Sequence, residues 1–337
     1  MKRTMKRTKK HPTLVIAIIC AALSIASNSQ AKDDVIEEVV SVGVQPGPQL
    51  WRITKDDHEL WVFGTLSPVP RNMDWDSASV EAILADAQEV IDAPGLAVSA
   101  NPFSTALALP LLWGIENNPD KQKLEDIVPA ELYARWLTLK AQYIGRDRGI
   151  ERHRPLFAAN ELFSKAIEES GLEHEHKITK QIERLIKRYD VPITTTTITR
   201  HLDKPRQRIR AFKRAPIDDL ECFRQTIARL ETDLPAMRSR AAAWAVGDIT
   251  TLRALPHQDQ NSACYNAVLT SSYGEELAEE SGLIDLEAQL AQRWIDAAEQ
   301  ALSKNTVTFA TLPIAELLKP DGYLNHFISN GYAVRGG

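Results

Sequence analysis

The chain has 337 residues, 44 % hydrophobic and 25 % charged, with 40 basic and 45 acidic side chains. Six of its cations, Lys2, Arg3, Lys6, Arg7, Lys9 and Lys10, crowd the first ten residues, so everything after them carries a formal charge of −11. A body this acidic is poorly suited to nucleic acid or anionic membranes as partners, and its length suffices for one large domain or two small ones.

The basic opening is followed by an apolar run, Leu14–Ala26, and then by the small polar stretch Ser27-Asn28-Ser29-Gln30-Ala31. A charged n-region, an apolar segment shorter than the ~20 residues that span a bilayer, and small residues at Ser29 and Ala31 predict a signal peptide over residues 1–31. Cleavage near Ala31 places the mature protein in the periplasm or the medium, with no membrane span left. The alternatives are an uncleaved anchor and, more weakly, a lipoprotein. Cys20 has Ile19 before it, where lipoprotein processing needs a small residue. Residues 32–48 show no helical or strand period and read as a flexible lead-in.

Order begins at Leu50–Thr54, and after the polar turn Lys55–His58 comes a second apolar run, Glu59–Leu66. Two such runs around a short polar turn predict a β-hairpin, the second strand covered on both faces. Residues 77–88 put Val80, Ile83, Leu84 and Ala87 on one helical face, and Glu89–Ala93 reads as a strand ended by Pro94-Gly95. Strand, helix and strand make the sequence form of a parallel crossover. Residues 103–300 are largely helical by period, in stretches 129–143, 155–170, 177–189, 217–232, 236–246 and 283–304, with Pro155 suited to a first helical position. One strand candidate, residues 191–199, interrupts them. A strand at 306–312, a helix at 323–329 and a strand at 331–334 close the chain. The predicted class is α+β, a mixed central sheet built from both chain ends around a large helical insertion. Trp51, Trp61, Trp136, Trp244 and Trp294 read as core.

Once Cys20 leaves with the signal, Cys222 and Cys264 remain. Two cysteines in an oxidising compartment predict one disulfide, closing a loop of about 42 residues worth roughly 4 kcal/mol of chain entropy. The alternative is two buried free thiols.

The motifs Leu50-Trp51-Arg52-Ile53, Leu60-Trp61-Val62-Phe63-Gly64-Thr65-Leu66, Trp244-Ala245-Val246-Gly247-Asp248 and the tail from Thr308 through Gly322-Tyr323-Leu324 to Val334 come in an order and spacing that resemble the TraB/GumN family, related to the Tiki proteases. The resemblance covers residues 49–335 as one domain. It implies metal-assisted peptide hydrolysis, with two Gly-x-x-His motifs and an acid as ligands. Here the first motif position reads Gly64-Thr65-Leu66-Ser67 and the second Ala310-Thr311-Leu312-Pro313, with Asp92 at an acidic position and Thr194–Thr197 where a glutamate is expected. Serine is a poor divalent-metal ligand and proline offers none, so the resemblance implies a kept fold and a lost metal site, with no cofactor.

Ser67 with His58 invites a serine-hydrolase reading, but Gly-x-Ser-x-Gly is absent. His174-Glu175-His176 has its histidines two apart, where helical metal pairs are four apart. The run 200–214 carries seven Lys and Arg residues. It is either a solvated helix face or an anion site using Arg206, Arg210 and Arg214. Arg146, Arg148, Arg152 and Arg154 form a second basic cluster, with Arg152 and Arg154 as further anion candidates. The leading expectation is a catalytically degenerate protein kept for binding or for a structural role in the envelope, whose partner is an envelope protein or a small anionic ligand. The rival is a hydrolase of the same fold using non-family residues such as Asp92, which would need a divalent metal. A pure interaction module would show an exposed apolar patch and no deep cleft.

Overall fold

The computed structural model describes residues 47–173, 177–255 and 285–336, with Cys264, Ala267, Val268 and Gly274 between the last two stretches. The signal segment, most of the lead-in, and His174-Glu175-His176 lie outside the described residues.

In chain order the hairpin comes first, β1 (Leu50–Lys55) and β2 (His58–Thr65). Trp51 and Ile53 are the buried residues of β1, a period of two, whereas Leu60, Val62, Phe63 and Gly64 of β2 are buried on both faces. The turn places Asp56 at φ 54°, a left-handed conformation that Asp tolerates better than most residues. After β3 (Val69–Pro70), Asp76 Oδ1 accepts the Ala78 N–H (2.9 Å) at the start of α1 (Ala78–Asp86), which buries Val80 and Leu84. Next come β4 (Glu89–Ile91), β5 (Leu96–Ser99), α2 (Pro102–Leu112), α3 (Leu124–Ile127) and α4 (Ala130–Tyr143). The insertion continues through α5 (Pro155–Glu169), β6 (Leu172–Glu173), α6 (Lys177–Tyr189), β7 (Ile193–Thr194), β8 (Ile198–His201) and α7 (Pro205–Arg214). It ends with α8 (Leu220–Thr232), α9 (Leu234–Ala245), α10 (Ile249–Ala254) and α11 (Leu286–Lys304). The tail is β9 (Val307–Pro313), α12 (Ile314–Leu318), α13 (Tyr323–Ser329) and β10 (Ala333–Arg335).

The central sheet runs β10-β1-β2-β9-β4-β7. The hairpin and β10 pair antiparallel, and β2, β9, β4 and β7 run parallel to one another. This is the expected mixed sheet from both chain ends, with one refinement. β2 and β4 are not neighbours, because β9 from the tail lies between them and pairs with both. The strand expected at 191–199 is two short pieces. β7 joins the sheet edge, and β8 leaves it to pair in parallel with β5.

Two apolar clusters hold this together. The first packs against the sheet: Phe63, Trp75, Trp244 and Phe309 pack ring on ring, and so do Trp294, Tyr323 and Phe327. The second lies between α4, α5 and α8, where Ala158, Ala159 and Ala166 leave room for Phe223 and Ile227. Cys222 of α8 forms a disulfide with Cys264, their Cα atoms 4.4 Å apart. Of the five tryptophans expected in the core, four are fully buried and Trp61 partly so.

Candidate functional site

In a parallel sheet the natural place for a site is the carboxyl edge, where the strands end and their loops diverge. Here that edge gathers the positions singled out above. Thr65 at the end of β2 pairs with Pro313 at the end of β9, and Ser67 follows two residues on. Ile91 of β4 pairs with Ala310 of β9 and Thr194 of β7, so Asp92 leaves the same edge. The topology therefore brings Ser67, Pro313, Asp92 and the Thr194–Thr197 segment to one side of the sheet. Gly64 sits just inside. A Cβ there would lie 2.5 Å from Ile314 Cδ1, so glycine is needed for packing. Its carbonyl accepts the Trp244 indole N–H (2.7 Å).

The chemistry of this edge is that of hydroxyls and one carboxylate. Ser67, Asp92 and Pro313 are exposed, while Thr196 and Thr311 are buried. Asp92 accepts the Ala93 N–H with its carboxylate (2.8 Å), and its carbonyl accepts the Thr196 hydroxyl (3.0 Å). A divalent ion of the kind the family implies needs several imidazole, thiolate or carboxylate donors. One carboxylate among hydroxyls and a proline does not fit it. Among the described residues no group of three or more His, Cys, Asp or Glu side chains converges as a metal site.

The serine-hydrolase pairing is separated by the strand itself. His58 opens β2 and its Nδ1 lies 2.6 Å from the Asn305 carbonyl, whereas Ser67 lies past the other end of the same strand. Nine residues of extended chain put them roughly 30 Å apart.

The basic clusters divide into buried and exposed members. Arg154 is buried and donates to the carbonyls of Phe212, Lys213 and Ala215 at 3.0–3.1 Å, closing the C-terminus of α7. Its neighbour Asp219 accepts the Leu156 N–H (2.8 Å) at the start of α5, and burial pushes its carboxyl above the usual range despite that bond. Both line a hollow of about 420 Å³ that Arg214 also borders. Arg146, Arg148 and Arg152 are exposed on the turn before α5. Arg206, Arg210 and Arg214 are exposed on α7 and form no ion pair among the described residues. Arg206 and Arg210 flank a hollow of about 330 Å³ with Ser104 of α2.

Three features were not read from the sequence. Glu89, buried at the amino end of β4, accepts the Thr194 hydroxyl, Asn305 Nδ2 (2.7 Å) and Lys304 Nζ (3.0 Å). Burial works to raise its pKa, and those three donors together hold it below the usual value. Asp233, fully buried, is held by Arg240 (2.6 and 2.8 Å) and Arg229 (3.4 Å). The third is α2, an apolar helix of which only Ala108 is buried.

Gly247 and Asp248 form a helix junction. Gly247 takes φ +70° to end α9, and Asp248 caps α10 through the Thr251 N–H (2.9 Å) and hydroxyl (2.6 Å). Among the described residues no helix is long and apolar enough to cross a membrane. Comparison with curated proteins gives no match, and neither does comparison with solved structures. The model of the TraB/PrgY/gumN family matches residues 49–336, from the opening hairpin to the last strand. With residues 49–336 matched, nearly the whole chain, this protein belongs to the TraB/PrgY/gumN family.

Proposed function

We propose that this is an exported, catalytically degenerate TraB/GumN protein that acts by binding in the cell envelope. Its partner is an envelope protein or a small anionic ligand. The observation that carries the reading is the donor set at the carboxyl edge: Ser67 and Pro313 stand where imidazoles are required, with the Asp92 carboxylate leaving the same edge. Hydroxyls and a proline ring cannot lower the pKa of a bound water as a zinc-like site does. The basic n-region and short apolar run of residues 1–31 support export. The Cys222–Cys264 disulfide supports an oxidising compartment, since such bonds are rare where glutathione keeps thiols reduced.

The test is metal content of the purified protein together with a peptidase assay supplemented by Mn²⁺, Co²⁺ or Zn²⁺. The expected result is substoichiometric metal and no cleavage with any of the three. Stoichiometric metal that EDTA removes, with peptide cleavage that depends on it, overturns the reading. N-terminal mass analysis of the protein from an exporting host tests cleavage before Lys32.

A further inference from the structure

Past the carboxyl edge, two chain segments run side by side. Asp92–Gly95 travels with Thr194–Ile198 and passes into the parallel ribbon β5–β8, registered Leu96↔Ile198 to Ser99↔His201. Each strand then feeds one helix, β5 into α2 and β8 into α7. The two helices pack together: the Lys213 ammonium of α7 takes the carbonyls of Leu111 (3.0 Å) and Trp113 (2.5 Å) at the end of α2. Asn101 caps the other end of α2 through the Phe103 and Ser104 N–H groups (3.0 and 3.3 Å).

The composition of this lobe is opposite on its two helices. α2 reads PFSTALALPLL, with no charged residue, and turns only Ser104, Ala108 and Leu111 inward. Phe103 is 75 % exposed and Trp113, directly after the helix, 89 %, with Leu107, Leu109 and Leu112 also exposed between them. A water-facing helix with no polar side has nothing to stabilise it in solvent, and such patches mark binding surfaces. Beside it, α7 carries five Arg and Lys residues in ten and no acid. Arg206, Arg210 and Arg214 repeat at four-residue spacing on its exposed side.

We infer that the α2–α7 lobe docks on an anionic phospholipid bilayer, α2 seating Phe103, Leu107 and Trp113 at the headgroup–acyl boundary while α7 meets the lipid charge. Interfacial helices combine Phe, Trp and Leu with a basic flank; here the two roles are divided between neighbouring helices. The charge decides against a second copy of this chain as occupant, because pairing like lobes would bring two strongly basic helices together. It also answers the acidity of the molecule as a whole. A Debye length of about 8 Å at physiological salt leaves the local basic patch, rather than distant acids, to set the field at the surface. Asp203, beside His201 at the lobe's root, is the nearest acid in the chain before α7 and stays exposed to solvent. The inference rests on the binding role proposed above and gives it a surface.

The experiment is vesicle flotation of the protein as its host processes it, with variants carrying the same N-terminus. Vesicles of 30 % phosphatidylglycerol in phosphatidylcholine are compared with phosphatidylcholine alone. The wild type is expected to float only with the anionic vesicles, with binding falling as NaCl rises from 0.05 to 0.5 M and a blue shift in fluorescence that W113F removes. R206E/R210E/R214E is expected to bind about 100-fold more weakly. F103S/L107S/W113S is expected to lose flotation while keeping the wild-type near-ultraviolet spectrum and melting temperature. Failure of the wild type to float, equal binding to both vesicles, or variants that float like the wild type overturns the inference. Competition by millimolar glycerophosphate overturns it in favour of a single anion site. A concentration-dependent dimer abolished by F103S/L107S/W113S overturns it in favour of self-association. None of these outcomes bears on the metal and peptidase assays, so the two readings fail separately.

Discussion

Two helix pairs in the same insertion, α5–α8 and α2–α7, use apolar residues to opposite ends. In α5–α8 the large apolar side chains Leu162, Phe163, Ile167, Phe223, Ile227 and Leu230 are buried in one cluster with Ala158, Ala159 and Ala166, Asp219 caps the start of α5, and Cys222 is tied to Cys264. In α2–α7 the apolar helix meets a partner whose own sequence, PRQRIRAFKR, has no apolar stripe wide enough to cover it. Helix burial is thus decided by the pattern on the facing helix as much as by the helix's own composition.

Removing a partner from the buried side is expected to cost most. Asp233→Ala removes the buried carboxylate that Arg229 and Arg240 share and is expected to destabilise by about 3–5 kcal/mol in urea unfolding. A cost under 1 kcal/mol would show that those arginines reach water. Replacing Cys222 and Cys264 together by Ser releases a loop of 42 residues and is expected to cost about 4 kcal/mol, with alkylation mass shifts in the wild type seen only after reduction.

The sharpest contrast comes from two phenylalanines. Phe223→Ala empties a core position and should cost about 3–5 kcal/mol. Phe103→Ala should change stability by less than about 0.5 kcal/mol. Equal costs would erase the distinction between the pairs. In the sheet, Gly64→Ala forces Ile314 aside and is expected to cost about 1–3 kcal/mol by the same unfolding assay.

Acid titration distinguishes two buried carboxylates by sign. Glu89 is held below its ordinary 4.5, so its contribution is present above that pH and fades as pH falls through the lower folded value. Asp219 is held above its ordinary 3.8, so the fold loses stability as pH rises through the raised value. The stability difference between wild type and Glu89→Gln should therefore shrink on acidification. Asp219→Asn, which keeps an acceptor for the Leu156 N–H, should gain on the wild type as pH rises. Matching slopes for both variants would refute the assignment.

Much of the sheet was legible in the sequence because strand period is local: Trp51 and Ile53 alternate, and β2 reads as buried on both faces. The place of β9 was not, since strand order is set by long-range pairing rather than by anything within residues 307–313. β5 escaped because a four-residue strand carries too few alternations to register, and for the same reason the short strands β7 and β8 read as one strand. At the carboxyl edge, Ser67, Asp92 and Pro313 were found through family motifs, and periodicity would have passed over all three. α2 was not singled out, because hydrophobic content is the same whether a helix faces its own protein or something else. Glu89 gave no local signal. Its partners, Thr194, Lys304 and Asn305, lie more than a hundred residues away.

The position of β9 has a consequence for how the molecule is made. The strand that joins β2 to β4 lies more than 200 residues after both in the chain, so the ribosome supplies the keystone of the parallel sheet only after β2, β4 and β7 have been made. Until then the two halves of the parallel sheet share no neighbour, and the apolar faces that Phe309 and Leu312 will cover stay open. A protease cut after Asn305 would remove β9 from the middle of the sheet and β10 from its edge, while leaving β1, β2, β4 and β7 intact in sequence. β9 therefore acts as the closing latch of the parallel sheet.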